Sequence, residues 1–317
     1  MASQRARELR AAGQDVIALS SGEPDFPSPP HVVVAANAAM RVGQTKYTTM
    51  SGTAELKAAI VEKFRRENGL EFGADEIMVS AGAKQVIFNA IMATVDAGDE
   101  VIIPAPFWIA YEQIVEFAGG TPRVVRCGEE TGFRIDAATL ERHITSATKW
   151  LVLNSPSNPS GAVYSAQDLA ALADVLLRHP HVWVLTDDIY EHIVFDGRRV
   201  ATIAAVEPGL KDRVLTVNGV SKTYAMTGFR IGYGAGPKAL LQEMLKVQSQ
   251  STSGPSSVGQ AAAVAALMGP QHFVAERAAA FQERRDLVVS MLNQTRGITC
   301  RSPEGAFYVY PSCAGLI

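Results

Sequence analysis

The sequence predicts an α/β fold, a mostly parallel sheet covered by helices, with a smaller α+β unit at its C-terminal end. Three observations carry this expectation. Short β-rich apolar runs alternate with longer segments of helical period, the pattern of repeated strand–helix–strand units. The 317 residues are enough for two ordinary domains or one large one. After a long helical candidate over 271–293 the pattern turns to strand, turn, strand.

In order along the chain, 3–12 reads as a helix that runs directly into a strand-like stretch over 15–19. Apolar runs predict strands at 76–80, 100–104, 121–126, 150–154, 182–187 and 213–218. The helix-period segments between them fall at 53–68, 84–96, 107–118, 137–143 and 166–178. An amphipathic helix over 271–293 then leads to strands at 297–301 and 306–310, joined by Pro303-Glu304-Gly305. Both ends are abrupt, and a single terminal hairpin cannot complete a layer, so the chain reads as a fragment.

Composition narrows the function. A net charge of −3, with 19% charged and 47% hydrophobic residues, excludes a disordered chain and a polybasic nucleic-acid binder. Cys127, Cys300 and Cys313 are too few for a disulfide framework and read as reduced thiols. No CxxC or HExxH spacing points to a metal. No stretch approaches the ~18–20 uncharged apolar residues of a membrane span. Met1-Ala-Ser-Gln-Arg-Ala-Arg7 has no apolar leader, so a cytoplasmic location is expected, without nucleic-acid or membrane partners.

Five segments carry chemistry. Lys222 lies in a turn after the strand that ends at Asn218, with Arg230 eight residues on. A partly desolvated lysine near positive charge can become a Schiff-base nucleophile, and an arginine fork suits a phosphate dianion. A surface lysine and an ordinary ion-paired arginine fit the same letters. Asp187 and Asp188 end a buried strand, where open α/β sheets place ligand groups, with Tyr190 close behind. They fit a helix cap equally well. Ser80-Ala-Gly-Ala-Lys84 joins a strand to a helix start whose free N–H groups suit phosphate, although Lys84 also fits a solvated helix position. Asn154 and Asn158 bracket Pro156 in a stiff loop. Trp108 stands just past another strand end, placed either to stack on a planar ring or to fill the core. Gly232-x-Gly234-x-Gly236 begins a strand rather than following one, so a nicotinamide dehydrogenase is disfavoured.

In this order the five segments resemble the pyridoxal-phosphate enzymes of the aspartate aminotransferase fold, and within them the class I aminotransferases. With Ser21-Gly-Glu-Pro-Asp-Phe26 and Gly82-Ala-Lys-Gln85, the chain is most similar to the bacterial aspartate/prephenate aminotransferase subgroup. The resemblance implies a three-layer αβα large domain over 29–285. It gives 1–28 and 286–317 to a small domain, incomplete at its C-terminal end. It implies pyridoxal 5′-phosphate as cofactor, joined through its aldehyde to Lys222 as an aldimine, with Lys222 then carrying the proton to and from the substrate Cα. Asp187 is implied to hold the pyridine nitrogen, Tyr190 and Asn158 the phenolic oxygen, and Trp108 the ring face. Gly82, Ala83, Lys84, Ser221 and Arg230 are implied around the phosphate. Relatives often carry a hydroxyl three residues before the lysine, where this chain has Gly219.

By the same resemblance, Gly22, Lys84, Trp108 and Asn158 touch substrate, and Lys84 pairs with the distal carboxylate of aspartate, glutamate or prephenate. Tyr47 is implied to reach the phosphate of a neighbouring subunit, making a homodimer with shared sites; a buried core tyrosine is the plainer alternative. The expected reaction moves an amino group from aspartate or glutamate to 2-oxoglutarate or oxaloacetate, with prephenate or aromatic amino acids as runner-up. Two further alternatives remain: a pyridoxal-phosphate lyase or cyclase resembling aminocyclopropane-carboxylate synthase, and an inactive cofactor-binding fragment. The last arises because the family's α-carboxylate arginine lies beyond the position matching Ile317.

Overall fold

The computed structural model describes residues 2–19 and 22–317, so Ser20 and Ser21, the latter opening the Ser-Gly-Glu-Pro-Asp-Phe motif, lie outside the described residues. Seven strands form one sheet: β1 (Ile77–Ser80), β2 (Glu100–Ala105), β3 (Thr121–Arg126), β4 (Thr148–Asn154), β5 (Trp183–Asp187), β6 (Val214–Gly219) and β7 (Gly232–Ala235). Their spatial order is β1-β7-β6-β5-β4-β2-β3. Strand β7 runs antiparallel to both neighbours and the other pairs are parallel. The six strands expected from apolar runs all appear, within two residues of their predicted bounds.

The central strands β4, β5 and β6 are mostly apolar and buried because both faces are covered. Alternate residues go to opposite cores: Leu151 and Leu153 of β4 to one, Trp150 and Val152 to the other. The first core takes Leu56 and Ile60 of α3 (Ala54–Lys63), Leu169 and Leu172 of α7 (Ala166–Arg178), and Ala262 and Ala263 of α10 (Ser257–Met268). The second takes Val86 and Ile87 of α4 (Ala83–Thr94), Ile114 of α5 (Ala110–Phe117) and Leu241 of α9 (Lys238–Ser251). The result is three layers, helix on sheet on helix. α1 (Ala2–Ala11) forms the helix expected over 3–12, and local signals start several others: the Thr53 hydroxyl accepts the Leu56 N–H, Asp136 accepts the Thr139 N–H at the head of α6 (Ala137–His143), and Ser165 and Asp168 form a reciprocal capping box.

Among the described residues four helices escape the sequence pattern: α2 (Pro30–Arg41), the four-residue α8 (Ile203–Val206), α9 and α10. In α2 a Val-Val-Val run imitates a strand, while α10 is Ala-rich and buried on several sides, so it shows no polar face to reveal a period.

Three expectations fail. The stretch 15–19 is not a strand: it pairs with nothing among the described residues, and Ile17 and Leu19 lie in solvent. The expected strands at 297–301 and 306–310 reduce to isolated bridges, Thr299 with Ser312 and Gly305 with Val194. Ala306, fully buried at φ +56°, turns the chain out of the extended form there. Helix α11 (His272–Asn293) forms as expected but buries only Phe281 and Arg285 along its 22 residues, so it presents a spot rather than an amphipathic face. No helix is long and apolar enough to cross a membrane among the described residues.

Candidate active site

Parallel register brings the C-terminal ends of β4, β5 and β6 side by side. Asn154 lies opposite Asp187, and Asp187 opposite Val217. Beyond these ends, the N-terminus of α4, the loop 22–26 and the segment 303–308 enclose a cleft of about 770 Å³. Open α/β sheets hold ligands in this position.

Asp187 forms the floor, 4% exposed. The Tyr111 hydroxyl donates to its Oδ2 at 2.7 Å and the Ile189 N–H to its Oδ1 at 3.3 Å. Burial pushes its carboxyl up to about 6, outweighing those donors and the Lys222 ammonium. Neither Asp187 nor Asp188 caps a helix, because the chain continues from β5 into successive turns. Asp188 is 1% exposed and accepts from the Thr186 hydroxyl at 2.7 Å. Burial pushes it up to about 7. The Asn154 side chain ties the neighbouring loop down, donating to the Asp187 carbonyl at 2.8 Å and accepting the Asn158 N–H at 2.7 Å.

Lys222 stands over this floor and donates to the Gly22 carbonyl at 2.6 Å. Burial lowers its pKa and Arg230 adds to that, while Asp187 and Glu23 oppose it. Tyr190 is buried, its hydroxyl 2.7 Å from that of Tyr308, which in turn lies 3.4 Å from the Asn158 amide. Burial, with Tyr308 next, raises the Tyr190 phenol well above its usual range. Trp108, half-buried, meets Tyr111 edge-on at 5.4 Å, and the Lys84 ammonium sits 4.7 Å from the Trp108 ring centre. Lys84 has no carboxylate partner among the described residues.

At the start of α4, Gly82 takes φ +96°, and a Cβ there would stand 2.5 Å from the Arg230 guanidinium. That guanidinium donates to the carbonyls of Thr227 and Ala81 at 2.8 and 3.1 Å and has no carboxylate partner among the described residues. A cation lacking a counter-charge, small residues and free helix N–H groups together make a seat for a dianion. Ser221 borders it. Gly219 lacks the hydroxyl common at its position for a packing reason: it faces Gly232 across the β6–β7 ladder, and a Cβ would lie 3.0 Å from the Gly232 Cα.

Of the residues singled out by sequence, Gly22, Ala83, Lys84, Trp108, Asn158, Asp187, Tyr190, Ser221, Lys222 and Arg230 border one cleft, and Gly82 backs onto it. Tyr47 does not; it is 96% exposed, which removes the core alternative. The glycine at 22 answers first to the protein itself, since a Cβ would fall 2.5 Å from the Tyr308 hydroxyl. Two residues were missed. Tyr111 signals itself only as an aromatic one helical turn after Trp108, and Tyr308 lay inside an expected strand.

Aminotransferase class I and II is the family whose model matches, over residues 14–316. An aspartate aminotransferase of Rhizobium meliloti is 59% identical over 312 residues, covering 98% of this chain and 76% of its own length. An aspartate/prephenate aminotransferase of Cereibacter sphaeroides is 56% identical over 315 residues, 99% of this chain and 79% of its own. The crystal structure of the Rhizobium meliloti aspartate aminotransferase superposes with a TM-score of 0.96 at 58% identity, covering 99% of this chain and 79% of that one. The Thermus thermophilus aspartate aminotransferase with maleate gives 0.93 at 42%, covering 98% and 80%.

Proposed function

The chain belongs to the class I and II aminotransferases, and we propose that it binds pyridoxal 5′-phosphate in this cleft and moves an amino group from aspartate or glutamate to 2-oxoglutarate or oxaloacetate. The observation that carries the reading is the joint placement of an amine of lowered pKa, a buried carboxyl and an unneutralised arginine at a helix N-terminus around one cleft.

The residues fit the cofactor. Arg230, Ser221 and the N–H groups opening α4 would hold its phosphate, Asp187 its ring nitrogen, and Asn158 and Tyr190 its phenolic oxygen, with Trp108 against the ring. When bound, the pyridoxal ring supplies an electron sink for the charge left at the substrate Cα. Lys222 would both anchor the group and move the proton at Cα, and burial lowers its pKa, which leaves more of the amine free to act as a base than it would be in water. Asp187, held as a carboxylate opposite the ring nitrogen, would keep that nitrogen protonated. Tyr111 holds the carboxylate in place.

Lys84, exposed and without a carboxylate partner among the described residues, would pair with the distal carboxylate of a dicarboxylic substrate. The Thermus relative with maleate, a four-carbon diacid, supports aspartate. A single ammonium selects charge more than shape, and the relative named for aspartate and prephenate makes prephenate the second reading. Exposed Tyr47 is read as reaching a second copy of the chain, giving a cytoplasmic homodimer. The segments 1–28 and 286–317 are read as parts of one small domain, supported by Phe26 and Phe307, one from each segment, which both pack on Phe281 of α11.

Purified chain mixed with pyridoxal phosphate and then with aspartate alone, without any keto acid, tests the reading. We expect about one equivalent of oxaloacetate per chain. Release of ammonia or pyruvate would move the assignment to a lyase, and a visible cofactor band with no oxaloacetate would overturn the choice of aspartate.

A further inference from the structure

Behind the Lys222 turn, on the side away from the cleft, lies a buried polar cluster that the reaction above does not use. Lys63, the last residue of α3, is 1% exposed and pairs with Glu191, which is 8% exposed. Its ammonium also donates to Asn68 Oδ1 at 2.8 Å and stands 3.7 Å from Glu67. Glu191 accepts from the amides of Asn68 and Asn218, each at 2.6 Å. His192 lies 3.1 Å from both the Glu67 carboxylate and the Thr223 hydroxyl. Arg66 closes the cluster on Glu67. Glu67, Glu191 and His192 stand close enough to hold a metal ion, but the Lys63 ammonium already supplies the cation.

Two features tie this cluster to the site. Its contacts to Asn218 and Thr223 fall just before and just after Ser221-Lys222, and Tyr190 and Glu191 leave the same turn for opposite sides. The chain is also bent to build it. In an α-helix, at ~100° per residue, position i+5 lies about 140° round from position i. Asn68 reaches Lys63 only because Phe64–Asn68 is a π-helical turn, which restores i+5 to the same side.

We propose that Lys63 is a positioning residue whose buried pairing with Glu191 and Glu67 fixes Asn218 and, through His192, Thr223, and so clamps both ends of the turn that presents the Lys222 amine. The inference rests on Lys222 as the reactive lysine, and its test is read partly without cofactor.

Lys63→Met leaves the Glu191 carboxylate buried without its cation and destabilises the protein for that reason alone. The informative variant is Lys63→Met/Glu191→Leu, which replaces both charges with apolar groups of similar size. We expect its melting temperature to lie above that of Lys63→Met but below that of the native protein, because the Asn68 and Asn218 amides lose their acceptor. Amide hydrogen exchange over 218–224 in the cofactor-free protein should nonetheless rise about tenfold, and kcat of the loaded enzyme should fall about tenfold with KM for aspartate little changed. Native exchange and native kcat in that variant would overturn the proposal and leave the pair a purely structural one. If the double variant does not fold, His192→Leu carries the test: faster exchange at 221–224 is expected, and native exchange overturns it. Because exchange is read on apoprotein, failure here leaves the Lys222 assignment standing. That assignment fails separately if Lys222→Ala keeps the visible band of the bound cofactor.

Discussion

The floor and the rim of the cleft are built on different principles. On the floor, Asp187, Tyr190 and Ser221 are each less than a tenth exposed; Asp187 stands in register with β4 and β6 and accepts from Tyr111 and Ile189, and the Tyr190 hydroxyl meets that of Tyr308. At the rim the contacts are single and wet: Glu23 accepts from Thr227 at 3.0 Å, Asp25 meets Arg284 at 2.8 Å, and Lys84 lies over Trp108. Groups that must stay in place to within a fraction of an ångström while protons move sit where the sheet holds them. On the proposed reading, the groups that choose among substrates sit on long side chains in solvent. On this division, substitutions in the floor should damage turnover whatever the substrate, and substitutions at the rim should change preference.

The largest effect expected is that of Lys222→Ala, because on the proposed reading one amine serves as anchor and as base. Loss of kcat/KM by at least ~10⁴-fold for every amino acid tried, with loss of the visible cofactor band, is the expected outcome. Residual activity within tenfold of native would place the base elsewhere. Asp187→Asn comes next, with a drop of about 10²–10³-fold on the scale of removing one preorganised charge. It has a second signature. Burial raises Asp187 from 3.8 to about 6, so the folded cofactor-free protein holds that proton more tightly than the unfolded chain does. Its contribution to stability is present below about pH 4 and is lost as the pH rises through 6. Denaturant titrations should show this slope in the native protein and a flatter one in Asp187→Asn; parallel curves would mean the carboxyl is not desolvated as the structure has it.

Much of the floor is legible in the sequence because it is local to strands. Asp187 and Lys222 close or follow apolar runs, and a strand end is a position that periodicity finds. Tyr111 and Tyr308 lack that signal: one lies inside a helix, and the other lies in a segment whose extended pattern Ala306 interrupts. The Lys63–Glu191 pair joins residues 128 positions apart, and each letter alone reads as a surface charge. The same limit hid α10, where burial on several sides erases the polar face that marks a helix. Pattern reading finds residues placed by their own element and loses those placed by another.

The rim gives smaller and more selective effects. Lys84→Met removes a charge that the floor does not need. We expect kcat/KM for aspartate to fall about ten- to a hundredfold, the scale of one hydrogen bond to a charged group. Activity with an uncharged amino acid such as phenylalanine should stay within a few-fold. Equal losses on both substrates would show that Lys84 serves the phosphate instead, and the division between floor and rim would then have to move by one residue.

Asp25→Asn is the smallest change and the most direct probe of the rim. Hydrogen bonding to Arg284 holds the Asp25 carboxyl below its usual value, so whatever the pair contributes is present above about pH 4 and is lost as the carboxylate protonates. Both side chains are about half in water or more, which limits an exposed pair to under ~1 kcal/mol. The melting temperature should therefore barely move, and less still at high salt. The substitution also frees the Arg284 fork, which borders the cleft, to meet a substrate carboxylate. KM for aspartate should fall or stay level while kcat holds. A rise in KM of tenfold or more would mean that the pair shapes the entrance as firmly as the sheet shapes the floor, and the loop 22–26 would then belong with the fixed part of the site.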